Sequence, residues 1–346
     1  MNVHKSSGKQ KLLPQPILDM NYAYARTALI AASVRLHIFT LLTGKSFSPS
    51  ELAQAADIQP GPAERLLKGL TTLKLVELIG EGAYQLTPLA DQFLVEGKPT
   101  YLGRDTLGVL DFMPAWFQLD QTLRTAVPYR DLGNPATAED FFAERVRDMF
   151  NVVFPTASRL AATLSLAEPD DGTLRILDVA AGAAPWSAAF ANHYPFAQVT
   201  ALDLPAVVEQ GKQQIVDLSL SDRFSWLAEN IEEYEYPPRH YDLILCGHIF
   251  RFFSDERVRS LLGKLTKSLR AGGTIAVADI FLADDGKGPN AALTIDLSML
   301  VNTAQGRIRR PGEIAAWLSE LGLEQVESLQ VASPFPVVVA CKGAKL

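Results

Sequence analysis

The sequence predicts a doubly wound α/β sheet preceded by an all-α module that carries a winged helix-turn-helix. Three observations support this. From Leu174 onward, short apolar runs of strand length alternate with helical patterns, as a mostly parallel sheet covered by helices requires. The first run, Leu174-Arg175-Ile176-Leu177-Asp178-Val179, passes at once into five small residues (180–184), a helical stretch, a second apolar run and Asp203. Upstream, residues 46–95 read as helix, turn, helix and a two-stranded wing.

Taken in order, residues 1–16 are polar, with Pro14 and Pro16, and are expected to fray. From Ile17 to Leu42 the pattern is helical, with apolar stripes at Ile17, Met20, Ala23 and Tyr24 and at Ile30, Val34, Ile38 and Leu41. A helix this apolar wants a partner, and a second subunit would supply one. Ser48-Pro49-Ser50-Glu51 opens the next helix with a capping serine and a proline in the first turn. Residues 57–62 make the turn, 63–73 the second helix, and 76–79 with 83–86 the wing. Such a module binds DNA in some proteins, but Glu64 beside Arg65 and Lys68, and an acidic chain, favour packing or dimerisation.

Residues 101–166 are helical and rich in large apolar groups; most read as core, and a subset, where the segment bridges the two halves, as one wall of an apolar substrate pocket. A hinge is expected at Glu168-Pro169-Asp170-Asp171-Gly172. Strands follow near 174–179, 199–203, 224–227, 241–246, 274–279 and 336–341, the last in a hairpin-like position; helices lie near 186–192, 205–218, 254–269 and 311–321. The expected domains are a helical winged module (1–100), a helical linker and pocket wall (101–170) and the α/β domain (171–346).

Strand, small-residue turn, helix, strand and acid is the layout of a nucleotide-binding βαβ unit, in which the acid meets ribose hydroxyls. Dinucleotide binders carry three glycines in the turn; here Gly182 stands among alanines, which do not readily take positive φ. A diphosphate cradle is therefore not expected. A cofactor without phosphate, held by its ribose and an amino-acid tail, suits this loop and points to S-adenosylmethionine.

Composition narrows the function classes. The 346 residues carry 48% hydrophobic and 21% charged side chains, enough for two packed domains. A net charge of −7 argues against nucleic acid as a partner. Cys246 and Cys341 lie in apolar runs and read as reduced core thiols. No apolar run reaches ~18 residues and the first 16 lack a signal-peptide core, so no membrane span is expected and the cytoplasm is the expected location. His4, His37, His193 and His240 fall in the tail, a helix and loops, and no metal site is expected.

Five segments together resemble class I S-adenosylmethionine-dependent methyltransferases of the small-molecule O-methyltransferase type, which include plant caffeate-type and bacterial anthracycline and carotenoid enzymes. They are Leu177–Trp186 (LDVAAGAAPW), Asp203-Leu204-Pro205, Phe252-Phe253-Ser254-Asp255-Glu256, Leu269-Arg270-Ala271-Gly272-Gly273 and Asp296-Leu297-Ser298-Met299-Leu300. The resemblance covers nearly the whole chain and implies a Rossmann-like catalytic sheet, an N-terminal winged-helix dimerisation domain and a homodimer. It implies that Asp178, Ala180 and Gly182 shape the loop under the methionine part of the cofactor. Asp203 would hold the ribose, Leu204 would flank the adenine, and Asn230 and Ile231 would sit where the family places an aspartate and an aromatic residue. Gly247 and His248 would lie beside the sulfonium.

Two departures stand out. Phenolic members carry a His-Asp-Trp triplet before Ser-Asp-Glu, the histidine acting as base; here the triplet reads Arg251-Phe252-Phe253. The helper glutamate falls at Ile308. Arginine cannot take a proton at neutral pH but can hold an anion. His248, three residues earlier, is a substitute base or a polar lining group, and Asp279 is a further base or orienter. Phe112, Met113, Trp116, Phe154, Met299 and Asn302 are the candidate acceptor-pocket wall. The expected reaction is methyl transfer to an oxygen of an apolar, aromatic or polyketide-like metabolite. Transfer to carbon or nitrogen, and non-methylating chemistry that uses the cofactor's charge (hydroxylation, decarboxylation, pericyclic reaction), remain open beside it.

Overall fold

The computed structural model describes residues 13–166, 169, 171–331 and 336–343. The polar tail before residue 13, Glu168 and Asp170 of the expected hinge, and residues 332–335 lie outside the described residues. The chain forms two compact units that divide between Leu107 and Gly108.

In the first unit the single helical run expected over 17–42 is three helices, Gln15–Asn21, Ala23–Arg35 and Ile38–Leu41. The second break falls at His37, whose φ of 54° is left-handed and ends the preceding helix. Helix Pro49–Ala55 starts on a capping box: Ser48 Oγ accepts from the Glu51 N–H, and the Glu51 carboxylate accepts from the Ser48 N–H at 2.7 Å. Helix Pro60–Thr72 follows, then strands β1 (Val76–Ile79) and β2 (Ala83–Leu86), which pair antiparallel as the wing. Their turn uses Gly80 and Gly82 at positive φ. Ile38, Phe39, Leu52, Leu67, Leu70 and Val76 form this unit's core. Helix Gln15–Asn21 buries none of its residues, leaving Ile17 and Met20 exposed.

The second unit is built on a seven-stranded sheet: β3 (Leu174–Val179), β4 (Ala197–Asp203), β5 (Phe224–Ala228), β6 (Tyr241–Gly247), β7 (Leu269–Ala278), β8 (Leu323–Leu329) and β9 (Val337–Lys342). The order is β5-β4-β3-β6-β7-β9-β8. Strands β3 to β7 are parallel, and β9 runs antiparallel between β7 and β8. The order reverses beside β3, so the crevice at the carboxyl ends of β3, β4 and β6 is where such a sheet takes its ligand. Leu177, Val179, Leu202, Ile244 and Val277 face one core layer with helices Asp255–Ser268 and Pro311–Glu320; Ile176, Val199, Leu243 and Leu245 face the other with helices Phe150–Thr163 and Pro185–His193.

In the second unit the sequence reading missed one strand and one α-helix. β8 (LEQVESL) is an edge strand with mostly exposed residues, so it has no apolar run to betray it. Helix Asn290–Asn302 is apolar without a clear polar face, so its period is hidden. β7 also begins five residues before the expected 274, because Leu269 pairs with Tyr241 ahead of a register shift.

Helix Pro205–Asp217 closes on the loop after β3 through Gly211. A Cβ there would lie 2.4 Å from the Gly182 carbonyl oxygen and 2.5 Å from the Trp226 ring. Gly211→Ala is therefore expected to cost about 2 kcal/mol in denaturant unfolding. A loss below about 0.5 kcal/mol would show that the loop yields at little cost.

Candidate active site

The β3–helix loop is built from left-handed residues: Ala180, Gly182 and Ala184 have φ of 56°, 58° and 57°. Against the expectation that alanine avoids this region, two alanines adopt it, at about 1 kcal/mol each. Hydrogen bonds hold them there. The Ala181 N–H donates to the Leu202 carbonyl at 3.1 Å, the Gly182 N–H to Asp203 Oδ2 at 2.7 Å, and the Ala184 N–H to the Ala181 carbonyl at 2.7 Å. Asp178, buried at the end of β3, accepts from the backbone N–H and hydroxyl of Ser187 in the first turn of the next helix. Burial pushes the Asp178 carboxyl up to about 7, against the pull of Ser187.

Asp203 ends β4. Its Oδ1 accepts from the Leu204 N–H at 2.7 Å, so each carboxylate oxygen carries one backbone donor and keeps a further lone pair. Burial raises its pKa to about 6, opposed by those two donors and assisted by Glu139. Glu139 itself accepts from the Ala206 N–H at the start of helix Pro205–Asp217, beside Leu204. The Glu229 N–H donates to the Asp203 carbonyl, tying β5 to β4. Asn230 folds into its own turn, Oδ1 accepting from the Glu232 N–H at 3.0 Å, while Ile231 is buried.

Trp186 lies across the crevice with its ring against Gly247, the last residue of β6. A Cβ on Gly247 would sit 2.3 Å from the indole Cδ1 and Nε1. Nε1 is buried and has no partner among the described residues. An orphaned donor of this kind costs about 1–3 kcal/mol and calls for an acceptor. The chain thus offers what a nucleoside with an amino-acid tail requires. Asp203 has lone pairs for ribose hydroxyls, and the indole N–H, packed over Gly247, can meet a carboxylate. S-adenosylmethionine fits this donor set.

On the other flank, His248 follows β6 with φ of 61°, its N–H bonded to the Ala278 carbonyl at 2.7 Å. Arg251 Nη1 donates to Asp279 Oδ1 at 2.6 Å and meets His248 Nδ1 at 3.1 Å; the Arg251 N–H donates to Asp279 Oδ2 at 3.2 Å. Burial alone would raise the Asp279 carboxyl, but the Arg251 guanidinium beside it outweighs that and holds it at about 2. Arg309, 3% exposed, fixes this turn: it donates to the carbonyls of Phe250 and Phe253 at 2.7 Å and to Asp255. The sequence reading did not single out Arg309, Trp186 or Ser187. A buried arginine's partners more than fifty residues away leave no local signal.

Of the expected pocket wall, Phe112 and Met299 share one core layer with Phe252, and Phe112 meets Phe141 edge-on at 5.1 Å. Met113 and Trp116 lie on a short helix against Asn290–Asn302, where Asn302 is fully buried and its Oδ1 has no partner among the described residues. Phe154 instead stacks on Phe150 in the opposite layer. Ile308 is core. A groove of about 530 Å³ is lined by Tyr129, Arg130, Phe141 and Arg145, none of them among the expected site residues.

Comparison with known proteins bears on the family. The O-methyltransferase domain family matches residues 125–324, and the O-methyltransferase dimerisation domain family residues 18–96. The chain is 27% identical to the tetracenomycin polyketide synthesis 8-O-methyl transferase TcmO of Streptomyces glaucescens, over 95% of this chain and 97% of that protein. It is 28% identical to the 3-hydroxy-5-methyl-1-naphthoate 3-O-methyltransferase of Streptomyces sahachiroi, over 93% and 92%. Human N-acetylserotonin methyltransferase, solved with S-adenosylmethionine, superposes with a TM-score of 0.84 at 21% identity, covering 98% of this chain and all of that one. The chain belongs to the S-adenosylmethionine-dependent O-methyltransferases and carries the family's dimerisation domain ahead of its catalytic domain.

Proposed function

We propose that this methyltransferase acts on a hydroxyl of an apolar, aromatic or polyketide-like small molecule, working as a homodimer. The observation that carries the site assignment is the placement, at the carboxyl ends of β3, β4, β6 and β7, of Asp203, the Trp186 N–H with no partner among the described residues and the His248–Arg251–Asp279 cluster. Bound there, S-adenosylmethionine supplies an activated methyl on a sulfonium. Asp203 holds the ribose with its free lone pairs, Leu204, Asn230 and Ile231 flank the base, and Asp178, Ala180 and Gly182 set the loop under the amino-acid tail. Gly247 makes room for the Trp186 indole, and His248 faces the acceptor with Arg251 behind it. Holding the acceptor oxygen in line, ~3 Å from the methyl, contributes much of the acceleration. The substrate class rests on the large apolar side chains of Phe112, Met113, Trp116 and Met299 and on the polyketide and naphthoate named for the two relatives. The homodimer rests on the matched dimerisation domain and the uncovered helix Gln15–Asn21.

Calorimetry with S-adenosylhomocysteine tests the cofactor site. Asp203→Asn is expected to weaken binding by roughly thirtyfold, the loss of one charge-assisted pair. Because the free Asp203 carboxyl titrates at about 6 and binding requires the carboxylate, wild-type affinity should level off above about pH 7 and fall towards tenfold per unit below 6. Glu139 and Asp178 face the same carboxyl, so the Asn variant, which lacks this slope, separates their titration from that of Asp203. Full affinity in Asp203→Asn would refute the assignment. Cofactor binding without methyl transfer to any of a set of phenols would redirect the chain to chemistry that uses the sulfonium only as a charge.

Light scattering tests the assembly. The full chain should have twice the 37.8 kDa mass of one chain, and removal of residues 1–45 should give monomer. A monomeric full chain with full activity would contradict the dimer.

A further inference from the structure

We propose that His248 serves the acceptor as a hydrogen-bond donor through Nε2, its tautomer fixed by Arg251, so that the enzyme takes hydroxyl groups that arrive already ionised. This rests on the reading of the site given above. A guanidinium has five N–H donors and no acceptor. The 3.1 Å contact between Arg251 Nη1 and His248 Nδ1 can therefore form in one direction, with Nδ1 accepting. A neutral imidazole that accepts at Nδ1 carries its proton on Nε2. The alternative, Nδ1–H donating to Asp279, does not fit. The 3.8 Å separation is beyond hydrogen-bond reach, and the same Asp279 oxygen already takes Arg251 Nη1 at 2.6 Å.

The surroundings leave the pair little freedom. The His248 N–H is bonded to Ala278, the Arg251 N–H to Asp279, and Arg309 holds the carbonyls of Phe250 and Phe253 on either side of Arg251. The His248 side chain is 28% exposed, and its side-chain hydrogen bond among the described residues is made through Nδ1, leaving Nε2 for a ligand. An N–H there stabilises a negative oxygen but cannot take a proton from a neutral one. Asp279 is committed to Arg251, and Ile308 offers an apolar side chain where the resemblance would place a carboxylate.

The acceptor consistent with this arrangement is a phenol or enol acidified by a neighbouring carbonyl, or a carboxylic acid, bound as its anion. Its oxygen–carbon bond forms as the sulfonium–carbon bond breaks. The two opposite charges cancel and no proton remains to be removed. Arg251 is then a positioning residue that acts through His248.

The test reads the tautomer directly. Full-length protein labelled with ¹⁵N-histidine is examined by long-range ¹H–¹⁵N correlation at pH 8, with the His248 signals assigned by their absence in His248→Gln. The expected spectrum shows a protonated Nε2 and an unprotonated Nδ1, and Arg251→Met should release the ring into tautomeric averaging. A wild-type ring protonated at Nδ1, or already averaging, overturns the proposal whether or not cofactor binds or the Arg251 variant folds. On phenols that the wild type methylates, His248→Gln, which keeps an N–H near the same place, should stay within about tenfold of wild type, whereas His248→Ala falls about a hundredfold. Equal losses would also overturn it. Failure to methylate any phenol counts against the proposed substrate class and leaves the tautomer result standing.

Discussion

The site depends on one buried carboxylate. Asp203 ends β4, reaches across to the Gly182 N–H and accepts from Leu204 on its own strand end, so it fastens the β3 loop to the neighbouring strand. That tie helps keep Ala180 and Ala184 at positive φ, where alanine is strained. The loop then stays low enough for Gly211 to pack against the Gly182 carbonyl. Burial raises the Asp203 pKa, so an ionised Asp203 costs folding free energy that a ligand offering hydroxyl donors can recover. The same group that shapes the loop is the one best suited to hold a ribose.

The opposite flank uses charge differently. Half-buried Arg251 and buried Asp279 form a pair whose charges compensate each other, and Arg309 anchors the turn through backbone carbonyls. A compensated pair cannot act as a mobile base. Its value lies in rigidity: it sets which ring nitrogen of His248 faces the crevice, and the left-handed backbone at residue 248 directs that ring. On the proposed reading, one flank of the crevice holds the cofactor by accepting hydrogen bonds, and the other steadies the acceptor by donating one.

Much of this was legible in the chain because buried parallel strands are short continuous apolar runs. Residues 174–179 match β3 end to end, and the acid at 203 falls at the strand end where the βαβ pattern places it. β8 was not legible, since an edge strand exposes its glutamates and loses the apolar signature. Nor was helix Asn290–Asn302, whose apolar residues cover more than one face. At the site, the residue types were readable and their pairings were not. The Arg251 substitution is visible in the sequence, but its commitment to Asp279, 28 residues away, arises only when β6 and β7 pair. Local propensity also misjudged the alanines, because hydrogen bonds from a neighbouring strand override the preference of a single residue.

A crystal structure of the chain with S-adenosylhomocysteine bears most directly on the central claim. Both ribose hydroxyls are expected on the Asp203 carboxylate, with the Gly182–Asp203 hydrogen bond intact and a polar group of the amino-acid tail on the Trp186 indole N–H. A nucleoside seated elsewhere, or bound only after the 180–184 loop has broken from Asp203, would contradict it.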